Sequence, residues 1–182
     1  MRQSRARGKS LAHERLPFLD GWLRTAVLRG RGRLSGMTGA SQQAAELRVV
    51  RPGERIADQA SGAMLRESAI AASTVGAQRI WLGYVELGPG LVSAVHHHGE
   101  AESGIYIISG HARFYSGERL ERAQDANAGD FVFVPPDVIH VEQNVSSSEP
   151  VRMVVARSTQ ANLTFNLPTP DGWQPLQGDR AS

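Results

Sequence analysis

The chain reads as an all-β protein, a single antiparallel fold that is closed or sandwiched. Three observations predict it. About eight to ten short β-prone runs follow one another at regular spacing, each cut off by turn residues. Helical periodicity is almost absent over the same region. No segment repeats, so the 182 residues make one well-buried domain rather than a duplicated pair.

Taken in order, Leu47–Arg51 is the first candidate strand, closed by Pro52-Gly53. Met64–Ala71 suits either a strand or a short helix, because its alanines and glutamate are at home in both. Gln78–Leu87 is richer in β-formers (Ile80, Trp81, Tyr84, Val85) and stops at Gly88-Pro89-Gly90. Leu91–His98 follows, then Gly104–Ser109 with its turn at Gly110. His111–Tyr115 ends at Ser116-Gly117, and Arg119–Arg122 is its expected partner. Asp130–Val134, Val138–Val145, Val151–Arg157 and Leu163–Leu167 complete the set. From Pro168 the chain is loop-like, with Trp173 available to pin it to the body. Several runs (Ile80–Leu87, Ile105–Ile108, Phe131–Val134) are apolar on both alternating faces. One face would fill the interior, and the other needs cover from a second sheet or a partner subunit.

Charge divides the chain. Residues 1–36 carry nine Lys/Arg against two acids, a net of +7, while residues 37–182 carry eleven arginines against sixteen acids, a net of −5. The basic arm contains one apolar island (Leu16, Phe18, Leu19, Trp22, Leu23, Val27, Leu28). It reads as a disordered extension. Three origins stay open for it: a segment for a membrane or nucleic acid, an organelle transit peptide, or translation from too early a start, with Met37 opening the real protein. The acidic body has no electrostatic attraction to phosphate backbones, so no nucleic-acid partner is expected. No apolar run approaches the ~20 residues of a membrane span, and no hydrophobic signal core is evident. The expectation is a cytoplasmic protein away from membranes. With no cysteine there are no disulfides and no thiolate ligands, so any metal must be held by nitrogen and oxygen.

Such donors exist at suggestive spacing. His96 and His98 are two apart in a strand and share one face, while His97 turns to the other. Glu102 follows a turn at Gly99, and His140 arrives from a later strand after Pro135-Pro136-Asp137. Three imidazoles and a carboxylate suit a first-row divalent metal: zinc, iron, manganese, nickel or copper. Pocket walls would come from Trp81, Tyr84, Phe114, Phe131 and Phe133. Tyr84, Tyr106, His97 and Glu100 are available for proton transfer. Arg113 and Arg152 would meet an anionic substrate if their strands face them inward.

Two signatures stand on the chain in order: Gly90-x5-His96-x-His98-x3-Glu102 closing at Gly110, then Gly129-x5-Pro135-x-Asp137-x2-His140-x3-Asn144. Together they resemble the paired motifs of the cupin superfamily, small jelly-roll barrels of the germin and RmlC-like type. The resemblance implies a double-stranded β-helix over residues 37–167, a loop-like tail over 168–182, and one metal bound by His96, His98, Glu102 and His140. Two departures stand out. Seven residues separate Glu102 from Gly110, one more than the family pattern, which sets Ser103 at the ligand position unless a bulge near Gly104 restores Glu102; Glu100 is the reserve. Asp137 stands where glycine is usual, and Asp tolerates turns well. The family's chemistry leads to an enzyme acting on a small organic molecule, with dioxygenase-type oxidation first. The rivals are a non-catalytic small-molecule or metal-binding module and a sugar isomerase or epimerase. A homodimer is the default assembly.

Overall fold

Strand-forming residues from the middle of the chain fold into two facing antiparallel sheets in a computed structural model, which describes residues 46–161 and 164–177. These residues belong to the unit Ala45–Ser182. The expectations for residues 1–36 and for Met37 lie outside the described residues.

The elements are a 3-10 turn Pro52–Glu54, β1 (Ile56–Ala57), β2 (Leu65–Ile70), a single helical turn α1 (Ala72–Val75), β3 (Trp81–Leu87), β4 (His96–His97), β5 (Ser103–Ser109), β6 (His111–Ser116), β7 (Arg122–Asn127), β8 (Phe131–Val134), β9 (His140–Asn144), β10 (Val151–Arg157) and β11 (Phe165–Asn166). The first sheet has the order β1-β2-β3-β10-β5-β8, the second β11-β4-β9-β6-β7. Strands β5 and β6 are consecutive but lie in different sheets, so the chain must fold sharply at Gly110. Its φ is +90°, and a Cβ there would lie 2.8 Å from the Pro150 carbonyl oxygen. Only glycine meets both demands without strain.

Alternation fills the space between the sheets. Strand β3 buries Trp81, Gly83, Val85 and Leu87, β5 buries Ser103, Ile105 and Ile107, and β10 buries Val151, Met153, Val155 and Arg157. Trp81, Val85, Ile105, Ile107, Phe114 and Met153 are part of one contiguous core. At about 25 cal/mol per Å2 of apolar area, each such side chain contributes roughly 1.5–3 kcal/mol.

Strand β9 is buried on both faces, and the tail explains why. Val141, on the face away from His140, clusters with Val95, Tyr115 and Leu120, and Leu167 and Trp173 pack over them. The Tyr115 hydroxyl donates to Gln143 Oε1 at 2.7 Å and accepts from the Leu176 backbone N–H at 2.9 Å. Trp173 meets the Tyr115 ring edge to face at 5.2 Å. The tail from Pro168 is thus irregular yet pinned by Trp173, and it supplies the cover that this face requires.

Local departures from the sequence reading have physical causes. Leu47–Arg51 forms no strand; its Leu47 and Val49 are exposed and it pairs with no strand among the described residues. Met64–Ala71 resolves as strand, with the helical turn only after it. The partner of β6 begins at Arg122 rather than Arg119, because Gly117 and Leu120 take positive φ and hold the turn between them. Of Leu91–His98, only His96–His97 is a strand, helped by an isolated bridge from Val92 to Gln143. Leu163 lies outside the described residues, and the strand expected there is Phe165–Asn166.

Candidate metal centre

Strands β4 and β9 pair with His96 directly opposite His140, and His98 follows two residues after His96. The three rings converge between the sheets. Their centroids are 4.2 Å apart for His96 and His140 and 4.9 Å for each ring with His98. One nitrogen from each lies within 4.8 Å of the others, and all three side chains are buried.

The backbone sets the rings' tautomers. His96 Nδ1 stands 2.9 Å from the Ala94 carbonyl oxygen and His140 Nδ1 stands 2.8 Å from that of Val138. A carbonyl only accepts, so Nδ1 donates and Nε2 keeps its lone pair, the arrangement that orients a ligating imidazole. His140 Nε2 is buried without a hydrogen-bond partner, a costly condition unless something else meets the lone pair. Burial also lowers the His96 pKa, outweighing the nearby Glu142 carboxylate, and this favours the neutral, ligating form. Three convergent imidazoles fit a first-row divalent ion.

Glu102 does not join them. Its side chain is exposed, and its backbone is tied on both sides to Ser158. Strand β5 runs in continuous register from Ser103 to Ile107 against β10, and from Ser103 to Tyr106 against β8. The register shift against β10 falls at Ile108 instead. The bulge expected near Gly104 is therefore four residues farther on. Ser103 takes the inward position with Ile105 and Ile107, and Glu102 is turned out. Glu100 is exposed as well.

A different carboxylate enters the centre. Glu142 is two residues beyond His140 on β9 and shares its face. Its Oε1 is 3.7 Å from His140 Nε2, and its Oε2 is 4.0 Å from His96 Nδ1. The Ser93 hydroxyl donates to Oε2 at 2.7 Å and accepts from the Glu142 N–H at 3.0 Å. Burial works against the carboxylate, but His96, His140 and these hydrogen bonds hold its pKa below the usual range.

The facing sheet supplies cations. Arg66 on β2 and Arg157 at the end of β10 are both buried. They lie over the Trp81 ring, with guanidinium carbons 4.3 and 5.3 Å from its centroid. That ring lies across Gly83, where a Cβ would come within 2.1 Å of its edge. Arg157 Nη2 reaches His98 Nε2 at 3.3 Å. Burial, followed by the like charge of Arg66, pushes the Arg157 pKa down to about 9. Burial lowers that of Arg66 too, against the pull of Asp58. By contrast Arg113 pairs with Asp125 at the surface and Arg152 with Glu86.

Among the expected wall residues, Trp81 and Phe114 are buried, whereas Phe131 and Phe133 are exposed. His97 stacks on Phe165 at 5.0 Å, away from the centre. The cavity beside the histidines measures about 20 Å3 and includes Met64, Val85 and Met153 in its wall. Sequence reasoning missed Glu142, Arg66 and Arg157. Alternation held two of the signals: Glu142 is in phase with His140, and Arg157 with Val151, Met153 and Val155.

Residues 83–157 match the family profile of the Cupin domain. No curated protein matches the sequence at a significant level. Among solved structures, a polyketide cyclase of Streptomyces resistomycificus shares the fold at 18% identity and TM-score 0.57, with 69% of this chain and 89% of that one covered. The formate complex of oxalate decarboxylase from Lactobacillus farciminis aligns at 23% identity and TM-score 0.55, covering 63% of this chain and 34% of that one. Oxalate decarboxylase of Bacillus subtilis, a protein with Mn(II) centres, aligns at 18% identity and TM-score 0.53 over 69% of this chain and 34% of that one. This chain thus spans about a third of the length of those decarboxylases. At these identities the likeness is one of fold.

Proposed function

We propose that this chain, whose residues 83–157 match the Cupin domain profile, is a mononuclear metal-binding cupin acting on a small organic molecule. The observation that carries the reading is the trio of buried rings with converging nitrogens, two of them held by Nδ1 contacts to backbone carbonyls. His96, His98 and His140 would hold the ion. Glu142 takes the carboxylate role that the motif assigned to Glu102, since its Oε1 already stands 3.7 Å from His140 Nε2. Bound there, a divalent transition metal would supply Lewis acidity and, as iron, manganese or copper, access to dioxygen chemistry. The residues around it exclude bulk water, burial favours the neutral form of His96, and the adjoining cavity of about 20 Å3 leaves room for one small group beside the ion. Oxidation of that substrate by dioxygen is the reaction placed first.

Elemental analysis of tag-free protein purified without chelators tests this. About one transition metal per subunit is expected, falling at least ten-fold in His96→Ala and His140→Ala. Glu142→Gln should weaken metal affinity about 10-fold or more while Glu102→Gln leaves it unchanged. Unchanged metal content in both histidine variants would sink the proposal. Iron or copper with substrate-dependent oxygen uptake would support oxidation. Zinc, nickel or manganese without oxygen uptake would shift the reaction to hydrolysis, decarboxylation or isomerisation. Tight ligand binding without turnover would favour the binding module.

A further inference from the structure

The histidines occupy one wall of the chamber, and the opposite wall holds charge that metal binding does not use. Arg66 Nη1 donates to Thr164 Oγ1 at 2.9 Å, and its Nη2 faces Asp58 at 3.6 Å. Arg157 Nη1 reaches the same Thr164 hydroxyl at 3.3 Å. No carboxylate lies within 4 Å of Arg157 among the described residues, and the Nε atoms of both arginines are buried without partners.

Charge counting gives these two groups a purpose. Two buried guanidiniums face two carboxylates, Glu142 and Asp58, and so balance them. A divalent ion beside the histidines would leave the chamber two positive charges in surplus. Uncompensated buried charge is strongly disfavoured, so the loaded chamber favours an anion. A donor on His98 Nε2 would also compete with the Arg157 contact there and leave the Arg157 fork facing the centre.

We propose that the ligand of this chamber is a small carboxylate, its acid group held by Arg157, with Arg66 adding charge and placing Arg157 through their shared Thr164 and Trp81 contacts. The assignment rests on the metal-site reading for the position of the ligand's other contact. A planar carboxylate matches the fork of a guanidinium. The inner cavity of about 20 Å3, with Met64, Val85, Ile105 and Met153 in its wall, admits the acid group alone, so the rest of a short ligand would extend toward the outer hollow. A larger hollow of about 360 Å3, to which Arg66, Asp58 and Trp81 contribute, shares Arg66 with the inner cavity and gives an incoming acid a first cationic contact.

The experiment compares propionate with propionamide, its neutral isostere, on the full chain by saturation-transfer NMR titration, with and without one equivalent of zinc. Propionate should bind at least ten-fold more tightly than the amide to zinc-loaded protein. Arg157→Gln should bring the two within two-fold of each other while zinc per subunit stays unchanged. Equal binding of acid and amide to the wild type, with zinc bound, would overturn the proposal and leave the metal reading intact. Retained preference in a folded Arg157→Gln would overturn it too. An Arg157-dependent preference in protein that takes up no zinc would uphold the anion site and overturn the metal reading. If Arg157→Gln does not fold, Arg157→Lys serves in its place: a loss of at least five-fold in the preference supports the assignment, and full retention counts against it.

Discussion

Asn144, at the end of β9, ties three chain segments together, and its removal has a calculable cost. Its side chain is fully buried. Nδ2 contacts the carbonyl oxygens of Leu87, Gly88 and Glu149 at 3.0, 3.0 and 2.8 Å, and Oδ1 accepts the Ser146 N–H at 2.9 Å. Two amide hydrogens serve three carbonyls, so about three full bonds are lost in Asn144→Ala. At roughly 1 kcal/mol net each, with a further penalty for a buried carbonyl left without a donor, the cost is about 3–4 kcal/mol. That is a large part of a typical domain stability of about 5–15 kcal/mol. With an m-value near ~2 kcal/mol/M, the urea midpoint should fall by about 1.5–2 M at unchanged slope. Asn144→Asp should cost more at pH 7, because a carboxylate would face three carbonyls, and should recover as acid protonates it. A midpoint shift in Asn144→Ala below about 0.5 M would refute the hydrogen-bond reasoning.

Two further outcomes follow from the geometry. Gly110→Ala should destabilise by about 2–4 kcal/mol, since it combines positive φ with a clash on Pro150. Gly129→Ala, at φ +97° but with open space around its Cβ, should cost only about 1–2 kcal/mol; equal losses in paired thermal melts would remove the steric argument. Asp125 has its pKa lowered, chiefly by the Arg113 hydrogen bond. A depressed carboxylate pKa contributes stability above the unfolded value near ~3.9 and loses it as pH falls through the folded value. Because this pair is partly exposed, Asp125→Asn should cost no more than about 1 kcal/mol at pH 7. The gap should close in urea melts below about pH 3, and a gap that persists there would contradict the pairing.

The barrel was legible because alternation survives wherever a strand is buried on its inner face. Val151–Arg157 and His111–Tyr115 were found nearly residue for residue. Strand β7 was misplaced because its sequence, Arg122–Asn127, holds no strong β-former and pairs only as an edge of the second sheet. At the centre, the three histidines were readable from spacing alone. Glu102 was not, because its orientation turns on where one extra residue is absorbed in β5, and both Gly104 and Ile108 are compatible with the sequence. The register against β10 decides it, and a partner strand fifty residues away does not announce its register locally. Arg66 escaped notice because Met64–Ala71 was ambiguous between strand and helix, which left its direction undefined.

The chamber's two chemistries are divided between the sheets. Every nitrogen and carboxylate offered to a metal comes from β4, β9 and the residues beside them, whereas the guanidiniums and the tryptophan between them come from β2, β3 and β10. A substitution at Gly83 would tip the Trp81 ring and shift both arginines while leaving the donor nitrogens in place. Descendants of such a chain could exchange one ligand for another by changes in a single sheet, inheriting the other intact. On the proposed reading, what is bound and what acts on it would be carried by different sheets, joined through the contact of Arg157 with His98.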